Sequence, residues 1–171
     1  MIILVIPQLL VIMLETQVEF EPIEIIPAQP KHLYSITALT RHFFPYTGFT
    51  FKTIEERLAN KSIFYFVALS RDSTVGFADV EIQQDGNAKI LGLAVLKELQ
   101  GKGIGQRLLD KAIEFAKEKR CPKVFLFVAE DNSVAKTLYE KNGFARKGAL
   151  QQQLGGKTVL LYEKTLSYQN V

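Results

Sequence analysis

Gln100-Gly101-Lys102-Gly103-Ile104-Gly105 lies between an apolar run, Ile90–Leu96, and a helical pattern of apolar residues, Ile104, Leu108, Leu109, Ala112, Ile113 and Ala116. A strand that turns through glycines into a helix N-terminus makes an anion site. The first N–H groups of the helix have no backbone partner and point at whatever sits beyond the end. Gly101, Gly103 and Gly105 carry no Cβ, so a phosphate can approach the backbone, and Lys102 adds positive charge. Two familiar phosphate patterns do not match. The dinucleotide fingerprint Gly-x-Gly-x-x-Gly needs glycine at 106 or 108, which are Gln106 and Leu108. The P-loop needs Gly-x-x-x-x-Gly-Lys-Ser/Thr, but Lys102 is followed by Gly103, and Leu96 stands five residues before Gly101. What remains is Gln-x-x-Gly-x-Gly, a pattern that glycine-rich turns without a ligand also show.

A second segment adds to it. Residues 132–144 read Asn-Ser-Val-Ala-Lys-Thr-Leu-Tyr-Glu-Lys-Asn-Gly-Phe. Asn132 suits a helix N-cap and Asn142-Gly143 a helix stop, with Val134, Ala135, Leu138 and Tyr139 as the apolar face between them. Together the two segments resemble the GNAT superfamily, the acyl-CoA-dependent N-acyltransferases. The pyrophosphate loop of that family reads Gln/Arg-x-x-Gly-x-Gly/Ala, matched by Gln100, Gly103 and Gly105. Its next helix reads Asn-x-x-Ala-x-x-Leu-Tyr-x-x-x-Gly-Phe, matched by Asn132, Ala135, Leu138, Tyr139, Gly143 and Phe144. Order and separation also agree. The resemblance runs from Ile23 to Thr165 and is specific for the cofactor class, not for the acceptor.

Length and composition bound the remaining possibilities. A chain of 171 residues, 47% hydrophobic and 23% charged, fits one globular domain with a real core. The net charge of +3 suits a small anionic ligand, and the scattered lysines make no nucleic-acid patch. A single cysteine, Cys121, excludes an internal disulfide and a cysteine-rich metal site, so no metal is expected. His32 and His42 read as solvated or structural. Residues 1–14 are nearly all apolar, too short for a bilayer span of about 20 residues, and interrupted by Pro7. They lack the basic start and small-residue cleavage site of a secretory signal. Three readings stay open: an element packed on the core or on a second copy, a membrane-surface anchor, or a start placed ahead of Met13. Packing is favoured because an exposed apolar segment aggregates. The expectation is thus a cytoplasmic protein with an apolar extension over 1–20, through which a homodimer could form, and an acyl-CoA N-acyltransferase domain over 21–171.

Turn signals and periodicity divide the chain. Strands are expected at Ile23–Ile26, Ile63–Leu69, Thr74–Ile82, Ala88–Leu96, Lys123–Val128, Ala145–Gln153 and Lys157–Thr165. Helices are expected at Pro30–His42, Thr53–Ala59, Gly103–Arg120 and Ser133–Lys141. The resulting order βααβββαβαββ is α+β, with a mixed sheet. The GNAT resemblance implies the same order and, with it, an α/β sandwich with a mixed, mostly antiparallel central sheet and helices on both faces.

The resemblance further implies acetyl-CoA as cofactor. Its pyrophosphate would take the N–H groups of Gly101, Lys102, Gly103, Ile104 and Gly105, with Gln100 and Gln106 flanking and Asn132 reaching across. Its pantetheine arm would pair with Leu93, Ala94 and Val95 where the fourth and fifth strands splay, with Gly92 marking the distortion. The implied reaction is direct attack of a neutral primary amine on the thioester. The oxyanion would be met by a backbone N–H near Val95, and Tyr139 would lie at the leaving sulfur. The base is not legible. Relatives place a glutamate at positions that fall here on Phe127 and near Lys89, and neither is a carboxylate. Asp79 and Glu81 share a face of the third strand, and Glu81 acting through a water is the candidate, beside a base-poor site that works through ordered water or on an amine of already low pKa. The acceptor would lie between Phe43–Phe51 and Gln151–Lys157, which hold no carboxylate cluster for a polyamine. A peptide N-terminus or a small amine with an apolar portion follows. The rival readings are a non-catalytic acyl-CoA sensor and a partner-binding module on the same fold.

Overall fold

The computed structural model describes residues 22–154 and 156–168, with the side chains of 151–154 left aside. The apolar extension, and any dimer formed through it, lies outside the described residues. In chain order the elements are β1 (Ile23–Pro27), α1 (Leu33–Phe43), α2 (Phe51–Ala59), β2 (Ile63–Ser70), β3 (Ser73–Ile82) and β4 (Ala88–Val95), then α3 (Ile104–Glu118), β5 (Lys123–Ala129), α4 (Ser133–Lys141), β6 (Ala145–Leu154) and β7 (Lys157–Thr165). This is the expected order βααβββαβαββ.

The strands form one seven-stranded sheet in the order β1-β2-β3-β4-β5-β7-β6. Neighbours are antiparallel except β4 and β5, which run parallel. Helices cover both faces. α3 packs on one through Leu108, Leu109 and Ala112, all 0% exposed, together with Leu138 and Tyr139 of α4. α1 and α2 cover the other through Ile36, Leu39 and Ile54, which meet Val67 and Phe77 of the sheet. Each such aliphatic side chain stabilises the fold by about 1.5–3 kcal/mol when fully buried. Among the described residues no helix is long and apolar enough to cross a membrane.

Local chemistry moved several expected boundaries. α2 starts at Phe51, two residues before the expected Thr53, because the Thr50 hydroxyl accepts from the Thr53 N–H. The Pro30 end of α1 is a separate 3-10 turn, Pro30–His32. There the buried His32 accepts at Nδ1 from the Gln29 N–H, 2.9 Å away, the structural role expected for it. α3 stops at Glu118 because Arg120 turns left-handed (φ 56°), with Arg120 N–H bonded to Lys117 O and Cys121 N–H to Ala116 O. Val134 is a correction. Expected on the buried face of α4, it is 78% exposed, since it falls in the first turn, beyond the edge of the core that holds Leu138 and Tyr139.

One irregularity opens the sheet. Asp79 pairs with Gly92 and Val80 with Ile90, so Leu91 is an extra residue in β4. β4 and β5 pair only over Ala88–Ile90 against Val124–Leu126, although both strands continue beyond. Past Ile90 they part, next to the expected Gly92.

Candidate active site

A cleft of about 780 Å³ fills the gap between the parted strands. Its walls are Lys89–Leu93 on β4, Leu126–Ala129 on β5, the aromatic turn after α1, and the start of α4. The size is ordinary for a site that takes a small molecule. Among the described residues β4 has no strand partner on this side beyond Ile90, so its backbone can pair with an extended amide-bearing chain. Of the three residues expected to do this, Leu93 lines the cleft, whereas Ala94 and Val95 bury their side chains in the two cores and can offer backbone only. The Val95 carbonyl is already taken by Gln100 Nε2 at 3.0 Å. Gln100 therefore staples the turn to the end of β4.

The glycine turn follows. Gly101 (φ 77°) and Gly103 (φ 79°) are left-handed, and a Cβ on either would meet nothing within 4 Å. Open space therefore lies above the turn. Gly103 is the N-cap of α3 and no side chain caps the helix. The first helical bond runs from Arg107 N–H to Gly103 O, so the N–H groups of Ile104, Gly105 and Gln106 precede the ladder and have no helical acceptor. With the exposed Lys102 beside them they fit an anion such as a pyrophosphate.

Gly105 differs from the expectation. Its Cβ would sit 3.7–4.0 Å from Leu93, Leu138 and Val95, ordinary contact on the core side, so a side chain here would face the core and not the open space above the turn. Gln106 makes a two-way amide pair with Asn142 (2.7 and 2.9 Å) and also bonds Asp110. It ties the start of α3 to the end of α4. Asn132 lines the cleft, but its Oδ1 accepts from the Ala135 N–H at 3.1 Å, so the side chain also caps α4.

Tyr139 reaches the cleft from α4, 8% exposed, with its ring against Phe144 and Tyr162. Burial pushes its phenol up to about 12, so it stays protonated and can donate a hydrogen bond. Phe127 and Lys89 face the same space as a cation–ring pair, with Nζ 4.9 Å from the ring centre. Across the mouth, Asp131 and Lys157 are bridged at 2.6 Å.

Glu81 stands elsewhere. It pairs with Lys89, where β4 and β5 are still joined, and lines a shallow recess with Asn60, Ser62 and Gln83. The alternation that puts Asp79 and Glu81 on one face does not say which lies beside the splay. Asp79 does. It is 4% exposed and accepts from Arg57 Nη2 at 2.7 Å, while Arg57 Nε donates to Tyr65 Oη at 2.7 Å. Burial pushes the Asp79 carboxyl up to about 6, and the Arg57 guanidinium limits the rise. Burial likewise raises the Tyr65 phenol. Arg57 and Tyr65 were not legible as site residues, although an aspartate within the apolar run Val75–Val80 signals a buried partner of opposite charge. Among the described residues no cluster of His, Cys, Asp or Glu could hold a metal.

A mixed sheet parted between its two parallel strands, with a glycine turn at a helix N-terminus beside the gap, defines an acyltransferase of the coenzyme-A-dependent kind. The chain belongs to the GNAT acetyltransferase family, whose model matches residues 32–144. It is 34% identical over 121 residues to the ribosomal protein bS18-alanine N-acetyltransferase of Haemophilus influenzae, covering 68% of this chain and 78% of the relative. Against the mycothiol acetyltransferase of Saccharopolyspora erythraea it is 32% identical over 77 residues, 45% of this chain but only 25% of that longer relative. The ribosomal-protein-S18-alanine N-acetyltransferase of Escherichia coli has the same fold, with a TM-score of 0.75 at 20% identity over 87% of this chain and 97% of that one.

Proposed function

We propose that this acetyltransferase uses acetyl-CoA to acetylate the α-amine of a peptide. The observation that carries the reading is the parting of β4 from β5 beside an open glycine turn whose first helical N–H groups have no helical acceptor. Acetyl-CoA supplies an acetyl thioester, which a neutral amine can attack directly. The N–H groups of Ile104, Gly105 and Gln106 hold the pyrophosphate, and the free edge of β4 at Leu93 aligns the amide arm. A backbone N–H of β4 near Val95 meets the developing oxyanion. Tyr139 donates to the departing sulfur. A thiol of ordinary pKa, about 8.5, leaves more easily as a thiolate than a phenol near 12 gives up its proton. Tyr139 thus stabilises the charge by hydrogen bonding and does not act as a full acid.

The peptide acceptor is supported by the aromatic wall of Phe43, Phe44, Tyr46 and Phe49, by a cleft wall whose one carboxylate among the described residues, Asp131, is bridged to Lys157, and by the bS18-alanine acetyltransferase among the relatives. The turn expected to close the other side, Gln151–Lys157, falls largely outside the described side chains, with Lys157 on the cleft wall. A cytoplasmic setting goes with this reading. The alternatives of a non-catalytic sensor and a partner-binding module gain nothing from the fold or the relatives.

Calorimetric titration with acetyl-CoA, followed by thiol release with peptides, a polyamine and free lysine, tests the reading. Micromolar binding and turnover with peptide α-amines is expected. A folded protein that does not bind acetyl-CoA, or that turns over only the polyamine or the lysine side chain, overturns it.

A further inference from the structure

Behind Gly92, on the side of the sheet covered by α1 and α2, a second cavity of about 50 Å³ adjoins the cleft and shares Phe44, Arg57 and Gly92 with it. Thr40 of α1 lines this cavity. It is buried, and among the described residues its Oγ1 has no hydrogen-bond partner. Arg57 uses Nε on Tyr65 and one Nη2 hydrogen on Asp79, leaving further N–H donors. An orphaned hydroxyl, spare guanidinium donors and a carboxylate around a space larger than the roughly 10–15 Å³ one water needs make a polar water site. The wall towards the cleft is thin. A Cβ on Gly92 would sit 2.8 Å from Asp79 Oδ1 and 3.4 Å from the Phe44 ring, so the carboxylate lies directly behind the Gly92 backbone, with Phe44 beside it.

We propose that Asp79 takes the proton the acceptor ammonium must lose, through water held in this cavity by Thr40 and Arg57. This rests on the acetyltransfer reading above and names its missing base. In the step, an N–H bond of the ammonium breaks and its electron pair stays on nitrogen. The proton passes over water to an Asp79 oxygen. The freed pair forms the C–N bond to the acetyl carbon, and the C–S bond breaks with its pair leaving on sulfur. The second proton of the attacking nitrogen ends on the thiolate, and Asp79 returns its own to solvent through the same water.

The surroundings suit the task. Arg57 from α2 is the cation facing Asp79. Tyr65 from β2 and Tyr46 from the turn after α1 are neutral phenols, pushed further up by desolvation, and β4 presents Gly92. A carboxylate near 6 is ionised at neutral pH yet within about two units of a peptide α-amine at about 8. A lysine side chain at about 10.4 lies more than two units further off, a penalty of roughly a hundredfold or more in the proton transfer. The position of Asp79 therefore also favours α-amines as acceptors.

The test uses Thr40→Val, which keeps shape and the Arg57–Asp79 pair but removes the water's anchor, and Asp79→Asn. kcat is measured against pH with acetyl-CoA and the best peptide acceptor, with Tm and the KM for acetyl-CoA beside it. Thr40→Val is expected to keep Tm and that KM while kcat falls about tenfold or more. Asp79→Asn is expected to lose about a hundredfold or more in kcat and the acid limb near pH 6. Wild-type kcat in Thr40→Val, or an Asp79→Asn enzyme that keeps the acid limb, overturns the proposal. If Asp79→Asn does not fold, Thr40→Val decides alone. The wild type separates the two readings. If it binds acetyl-CoA but acetylates no α-amine, the acceptor reading falls and this one with it; if it turns over and the variants are unaffected, only the relay falls.

Discussion

Replacing Gly92 and Gly105 by alanine, one at a time, should change stability in opposite directions. The Cβ of Gly92→Ala would come 2.8 Å from Asp79 Oδ1 and 3.4 Å from Phe44 Cε2. Asp79 is pinned by Arg57 at 2.7 Å and cannot swing aside without giving up this ion pair in a buried site. Overpacking of this kind costs about 1–3 kcal/mol, so Tm should fall by roughly 3–10 °C in a chain of this size. Gly105→Ala meets only ordinary contacts at 3.7–4.0 Å, and Gly105 lies in the first turn of α3 at an unremarkable φ. Relief of glycine's backbone entropy there should stabilise by about 0.5–1 kcal/mol, or about 1–4 °C. Differential scanning calorimetry of wild type and both variants reads the two shifts. An unchanged or raised Tm for Gly92→Ala would mean that Asp79 is not held against β4, and the geometry of the buried cluster would be wrong. A fall for Gly105→Ala would mean that α3 sits closer to the sheet than its contacts show.

Other outcomes follow from the same geometry. Gly103→Glu places a carboxylate and a strained left-handed residue (φ 79°) at the helix N-terminus, and should abolish acetyl-CoA binding in calorimetry while leaving the chain folded; normal binding would move the pyrophosphate elsewhere. Tyr139→Phe should lower kcat about 10–100-fold with acetyl-CoA affinity unchanged, and equal turnover would remove its role. Asp79 binds its proton more tightly folded, near 6, than unfolded, at 3.8. Its linkage therefore favours the folded state fully below about pH 4, and that contribution is lost as pH rises from 4 to 6, roughly 3 kcal/mol for about two units. Urea unfolding at pH 4 and 7 should show wild type losing more stability over this range than Asp79→Asn, and parallel curves would refute the shift.

Much of the fold was legible because its signals are local. Glycine at 101 and 103 answers a backbone that needs positive φ, Asn132 a helix that needs a cap, and alternation marks strands whose faces differ. Those demands fall within a few residues of the residue that meets them, so the element order, the turn and the cofactor class could be read along the chain. The motif pair worked for the same reason, since each half is one turn and one helix. Errors came where a residue's neighbours are distant in sequence. Val134 continues the apolar spacing of α4, but only the limit of the core leaves it exposed. Gly105 belongs to the motif, yet its Cβ direction depends on how α3 lies on Leu93 and Leu138.

The two acids of β3 show the division most sharply. Alternation placed Asp79 and Glu81 on one face and could go no further. The choice between them depends on where β4 leaves β5, a feature of strand pairing set by the extra residue at Leu91. Arg57 and Asp79 are 22 residues apart in the chain, and nothing in either local pattern pairs them. Packing α2 over β2 and β3 brings the guanidinium, the phenol of Tyr65 and the carboxylate into one buried cluster. The sequence by itself therefore determined the elements, their order and a glycine turn able to hold a phosphate, because hydrogen bonding and backbone sterics act over short stretches. Only the tertiary structure decided which acid faces the strand gap and which charge balances it, because burial and ion pairing depend on distances that the chain closes only when it folds.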